Sequence, residues 1–128
     1  MMRTIKKLAV LFIDDGDDNR ELARTRLGKV FQCLSIAESL DQGLAALGGF
    51  PQDGCVVTDL KMPPHDAAGF EIIEAAAIRG ITRLVLYTTQ PEESFRDFLR
   101  QYPGLVVIDK DMEMVRAKLL AWQEDLNK

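Results

Sequence analysis

The chain has 128 residues, a length that fits one domain around one core, with 47% hydrophobic and 28% charged residues. Its net charge is −4 and it carries no block of Lys or Arg, so direct binding to nucleic acid is not expected. The start "MMRTIKKLAV" is basic and then apolar, but the apolar run Leu8–Ile13 is too short for the core of a signal peptide or for a membrane span. A cytoplasmic protein without membrane contact is the expectation.

In chain order, short apolar runs alternate with helical patterns. The runs Leu8–Ile13, Phe31–Ala37, Cys55–Thr58, Leu84–Thr88 and Leu105–Ile108 are rich in Val, Ile and Leu without strict alternation, which predicts strands covered on both faces. After the first strand, Asn19–Leu27 predicts a helix capped by Asp17 or Asp18 and stopped at Gly28. Ser39 opens a second helix with Leu40, Leu44 and Leu47 on one face, ended by Gly48-Gly49. A third, Ala67–Arg79, puts Phe70, Ile73 and Ala77 together and stops at Gly80. Pro91 begins "PEESFRDFLRQY", with Phe95, Phe98, Leu99 and Tyr102 as a stripe. The last helix, Met112–Leu126, aligns Met112, Val115, Leu119, Trp122 and Leu126.

Five strands, each followed by a helix, predict an α/β fold: a single doubly wound parallel sheet, flavodoxin-like (βα)5, in one domain over residues 1–128. Right-handed crossovers leave 2-1-3-4-5 as the common strand order, with a site at the carboxyl ends of strands 1 and 3. Cys33 and Cys55 read as small core residues. They would sit on the two strands flanking strand 1, about 9.6 Å apart and beyond disulfide reach.

The stretch "LFIDDGDDNRE" crowds four aspartates at the mouth of a buried strand, where like charges repel unless a cation or water separates them. Strand 3 ends in Asp59, so the predicted order brings Asp14, Asp15 and Asp59 to one crevice. Such a cluster of oxygen ligands suits a hard cation such as Mg²⁺, which uses few carboxylates and a phosphate. Strand 4 ends at Thr88 and strand 5 runs into Lys110, adding a hydroxyl and a fixed positive charge. Asp17 and Asp18 read instead as helix-start residues near unpaired N–H groups and the positive end of the dipole.

With the acidic pair Asp14-Asp15, "TDLKMP" around Asp59, "YTT" with Thr88, and Lys110 after "VVID", the chain resembles a response-regulator receiver domain over nearly its whole length. The resemblance implies a phosphoacceptor of two-component signalling. It is a signalling domain rather than an enzyme in the usual sense, catalysing only its own phosphorylation and dephosphorylation. Asp59 would take a phosphoryl group from a histidine kinase or phosphotransfer protein. Asp15, Asp59 and the backbone carbonyl of Lys61 would hold Mg²⁺, with Asp14 assisting; Thr88 and Lys110 would each meet a phosphoryl oxygen. The output would pass through the helix 4–strand 5–helix 5 face to an output protein or fused output domain, and a homodimer is left open.

Several residues depart from the pattern of that family. Asp111 stands where receivers usually have Pro; a cis bond before a non-proline costs about 3–4 kcal/mol, so a trans Lys110–Asp111 bond is expected. Asp111 could pair with Lys110 and compete with phosphate. "PPHDAAG" is about two residues longer than the usual loop and holds the lone His65, read as solvated. Lys61 adds a cation near the phosphoryl group. Val107 stands where many receivers carry a switch aromatic. The alternative reading is a pseudo-receiver, a docking module that is not phosphorylated. A phosphatase of the haloacid dehalogenase type, from Asp15-x-Asp17, lacks a late acidic pair. A calcium loop would place Arg20 at its glycine and Arg26 at its bidentate Glu.

Overall fold

The computed structural model describes residues 5–128; the first four residues of the basic leader-like stretch lie outside it. The elements are β1 Ala9–Ile13, α1 Asp17–Leu27, β2 Cys33–Ala37, α2 Leu40–Ala46, β3 Cys55–Thr58, α3 Ala68–Ile78, β4 Arg83–Tyr87, α4 Arg96–Gln101, β5 Val106–Ile108 and α5 Met112–Leu126. The strands form one parallel sheet in the order β2-β1-β3-β4-β5. No helix of the described residues is long and apolar enough to cross a membrane.

Alternate residues of each central strand feed two apolar layers, as the period of a strand requires. Leu11, Ile13, Val56, Leu84 and Leu86 pack with Leu40, Ile72, Ile73 and Ala76 under α2 and α3. Val10, Phe12, Val57, Val85 and Tyr87 pack with Ala23, Leu27, Val115 and Leu119 under α1 and α5. The strands β1, β3 and β4 are thus covered on both faces, as expected.

The edge strand β2 is not. Cys33 and Ser35 are exposed, Leu34 and Ile36 half-buried, and only Ala37 is buried. Cys33 is therefore a free surface thiol rather than a core residue, while Cys55 is a free buried one. The sheet does separate them onto strands either side of β1. Burial, opposed in part by Arg83, pushes the Cys55 thiol pKa well up and leaves it a neutral packing group.

Two helices differ most from the expectation. α1 starts at Asp17, two residues early, with Gly16 at its N-cap; neither Asp17 nor Asp18 caps it, and both stand in its first turn beside the dipole. The stretch after Pro91 is not one helix. A 3-10 turn, Glu92–Ser94, breaks at Phe95 before α4, which has no buried residue. α4 is tied to α3 by a stack: Phe70 and Phe98 centroids are 4.2 Å apart, Phe98 and Tyr102 4.7 Å. α5 keeps the expected bounds, Met112–Leu126, and is capped by Asp111, whose carboxylate accepts from the Glu113 and Met114 amides. An aspartate cap stabilises a helix by about 1 kcal/mol relative to alanine. The Ser39 cap of α2 is as expected, its hydroxyl accepting from Gln42 N.

α3 begins against the end of β3. Gly69 N donates to the Leu60 carbonyl at 2.9 Å. A Cβ at Gly69 would lie 2.4 Å from the Asp59 carbonyl oxygen and 2.8 Å from Leu60 Cα. Backbone on both sides cannot yield as a side-chain tip could. Gly69→Ala should therefore destabilise the fold by roughly 1–3 kcal/mol, seen as a lower urea midpoint; an unchanged midpoint would contradict this close approach.

Candidate functional site

In the sheet register, Ile13 of β1 stands opposite Thr58 of β3. The next residue on each strand, Asp14 and Asp59, therefore leaves the sheet at the same level. The Asp14 amide donates to the Ala37 carbonyl at 3.1 Å and the Asp59 amide to the Ile13 carbonyl at 2.9 Å, so both backbones are still held by the ladder. One carboxylate oxygen each from Asp14, Asp15 and Asp59 lies within 4.8 Å of the other two. Asp14 and Asp59 are buried, Asp15 is exposed.

Two buried carboxylates this close repel, and neighbouring donors offset that cost. Lys110 Nζ lies 3.4 Å from Asp14 Oδ2 and 3.2 Å from Asp59 Oδ2. The Gly16 amide donates to Asp14 Oδ1 at 2.8 Å and the Leu60 amide to Asp59 Oδ1 at 2.8 Å. Even so, the Asp59 carboxyl stays above the ordinary carboxylate range. Burial is the main cause and the charge of Asp14 the second, with Lys110 and the Leu60 amide pulling the other way.

Lys110 also stands 5.5 Å from the centroid of the Tyr87 ring, which is buried edge-on against Phe12. Burial, and then Asp14, Asp111 and Asp59, push the Tyr87 phenol up to about 12, so it stays neutral. Tyr87 adjoins Thr88 in "YTT", but nothing in that motif marks the ring as a floor for the lysine. Arg20 is the other unforeseen residue. Its buried guanidinium reaches the Asp14 carbonyl. An arginine in the first turns of an exposed-looking helix reads as solvated, and the signal was the adjacent Asp17 at i−3.

Of the remaining sequence candidates, Thr88 is buried directly after β4, its amide bonded to the Ile108 carbonyl at 3.1 Å. Its hydroxyl accepts from Gln90 N at 3.1 Å and makes no bond to the acid cluster. Lys61 is exposed, two residues past Asp59. Asp111 does not pair with Lys110; one of its carboxylate oxygens accepts from the α5 amides instead. Among the described residues the one cis bond is Pro63–Pro64, so Lys110–Asp111 is trans, as expected. The long loop closes on itself: Met62 and His65 exchange both backbone hydrogen bonds, at 3.0 and 2.8 Å, around Pro63-Pro64. With Asp15, Glu38 and Asp41 this hairpin borders a cleft of about 240 Å³ beside the acid cluster, and His65 is exposed on its rim.

No family model matches the sequence, and no curated protein does. Solved structures do match in shape. A chemotaxis protein of Vibrio cholerae, CheY4, is 17% identical, with a TM-score of 0.75 over 91% of this chain and 98% of its own. The signal receiver domain of an HD domain-containing protein from Pseudomonas fluorescens is 14% identical, with a TM-score of 0.79 over 99% and 94%. A response regulator of Thermotoga maritima, solved in complex with Mg²⁺ and BeF, is 19% identical, with a TM-score of 0.67 over 90% and 98%. The chain has the receiver-domain fold, with five parallel strands in the order 2-1-3-4-5 and helices on both faces.

The raised Asp59 pKa has a signed consequence. A carboxyl whose folded value exceeds its unfolded one adds stability below the unfolded value, and that contribution is lost as pH rises through the folded value. At neutral pH the ionised group opposes folding. In metal-free protein, Asp59→Asn should therefore be more stable than the parent at pH 7, with the advantage fading toward about pH 4, near the unfolded Asp value. Urea denaturation across that range checks it; an advantage that grows in acid would contradict the burial of this charge.

Proposed function

We propose that the chain is a phosphoacceptor of two-component signalling, taking a phosphoryl group on Asp59 from a phosphohistidine partner. The observation that carries this reading is the convergence of Asp14, Asp15 and Asp59 within 4.8 Å, with Lys110 between two of them. Three carboxylates crowd more negative charge into the crevice than one ammonium neutralises, which is the donor chemistry of a Mg²⁺ site. Asp14, Asp15, Asp59 and the Lys61 carbonyl would hold that ion. When bound, it relieves the mutual repulsion of the carboxylates and neutralises phosphoryl oxygens.

In the transfer, the Asp59 oxygen forms a bond to phosphorus as the phosphorus–nitrogen bond of the donor histidine breaks. The electron pair leaves on the imidazole nitrogen, and the product on this chain is an acyl phosphate. The Leu60 amide already holds Oδ1 of Asp59 at 2.8 Å, which leaves Oδ2, facing Lys110 at 3.2 Å, as the oxygen directed at the pocket. Lys110 then exchanges a carboxylate for a phosphoryl oxygen, a charge-assisted contact that strengthens as charge builds on the transferring group. Thr88 supplies a hydroxyl once it turns from Gln90 N. Movement of Thr88 draws on its backbone hydrogen bond to Ile108 of β5, and so on the α4–β5–α5 face through which an output protein or fused output domain would read the state. Histidine kinase or phosphotransfer protein, magnesium and a cytoplasmic setting all belong to this reading.

Incubation with Mg²⁺ and acetyl phosphate should add one phosphoryl mass to the intact protein and none to Asp59→Asn. A parent that stays unmodified, and shows no amide shift with beryllofluoride, would favour a docking module that is not phosphorylated. The exposed Lys61 lies two residues from the acceptor, and its ammonium should alter acyl-phosphate lifetime. Equal dephosphorylation rates for parent and Lys61→Ala would exclude that role.

A further inference from the structure

Among the described residues Arg20 is the one buried arginine, its side chain 10% exposed. A guanidinium is costly to bury unless its N–H groups are met. Nη1 donates to the Asp14 carbonyl at 3.0 Å. Nη2 pairs with the Asp17 carboxylate and lies 3.6 Å from Glu38 Oε2. One planar head group thus joins the end of β1, the first turn of α1 and the residue that follows β2.

Asp14 consequently has every polar group engaged. Its amide is bonded to Ala37, its carbonyl to Arg20, and its carboxylate to the Gly16 amide and Lys110. Asp15 is different. It is exposed, and its carboxylate makes none of the side-chain hydrogen bonds or ion pairs found among the described residues. What aims Asp15 at the cluster is the peptide plane it shares with Asp14, and Arg20 holds the oxygen of that plane.

We propose that Arg20 is the positioning residue for the acidic pair. By fixing the Asp14 carbonyl it presents Asp15 for a divalent cation. This rests on the metal reading above and adds to it a residue outside the cluster. The two effects of Arg20 on a cation have opposite signs. As a positive charge nearby it repels Mg²⁺; as a strap it pre-organises a ligand. Positioning is the larger effect here, because Asp17 and Glu38 already balance the guanidinium charge while no other hydrogen bond among the described residues holds that carbonyl.

The sign makes the test sharp. Mg²⁺ alone is titrated into the whole chain and followed by amide NMR at Asp15 and Gly16. Arg20→Met should weaken binding about tenfold, the usual scale for removing a group that orients a metal ligand. Arg20→Lys keeps the buried charge but loses the fork, and should weaken it less. Binding that is unchanged or tighter in both would overturn the proposal; if the Met variant does not fold, the Lys variant decides alone. In metal-free protein, faster exchange of the Gly16 amide in the variants, against unchanged exchange in β3, supports the strap, and equal exchange at Gly16 overturns it. A parent that ignores Mg²⁺ while the Gly16 result holds would sink the metal reading and its cation role for Arg20, and leave the strap itself standing.

Discussion

The alignment of Ile13 with Thr58 across the β1–β3 ladder is the constraint on which the site depends. Parallel strands end together, and a one-residue slip would turn one of the two following carboxylates to the other face. The register is fixed by burial on both faces, since Leu11 and Ile13 belong to one layer and Val10 and Phe12 to the other. Apolar packing on either side of the sheet thereby forces two negative charges into contact. The hydrophobic layers supply the free energy that keeps Asp14 and Asp59 close despite their repulsion.

That repulsion is only partly balanced. Lys110, two backbone amides and the hold of Arg20 on the Asp14 carbonyl set the carboxylates in place, yet burial still keeps Asp59 reluctant to ionise. A pocket fully neutralised by its own side chains would have no use for another cation, and one with no lysine would not tolerate burial of two acids. This chain lies between those limits, with an exposed third acid, Asp15, at the mouth.

The strand order and the meeting of Asp14, Asp15 and Asp59 were legible because both follow from periodicity and crossover handedness, which are properties of the whole chain. What escaped was local and chemical. Cys33 belongs to "CLSIA", whose alternation marks an edge strand with one covered face, but a run of apolar letters reads the same for edge and centre. The break at Phe95 comes where that residue turns inward while the short helix after it only half-buries Phe98 and Leu99. Asp111 was read through the lysine before it, although an aspartate opening an apolar-periodic segment is a helix-start signal in its own right. Tyr87 owes its position to Phe12 and Lys110, distant in sequence, which no local pattern encodes, whereas Arg20 had a local signal in Asp17 and needed only Glu38 from further along the chain.

Lys110 and Asp111 are consecutive, and each is bound to something rigid: the first to the two acids, the second to the opening amides of α5. A flexible connector between them would let the ammonium shift while the helix stayed put. Here the two backbones are joined by a single peptide. The four-carbon stem of Lys110 absorbs small shifts of the ammonium, but a displacement of the Lys110 backbone reaches the first turn of α5 directly, and a fifteen-residue rod turns a small displacement at its base into a larger sweep at its far end.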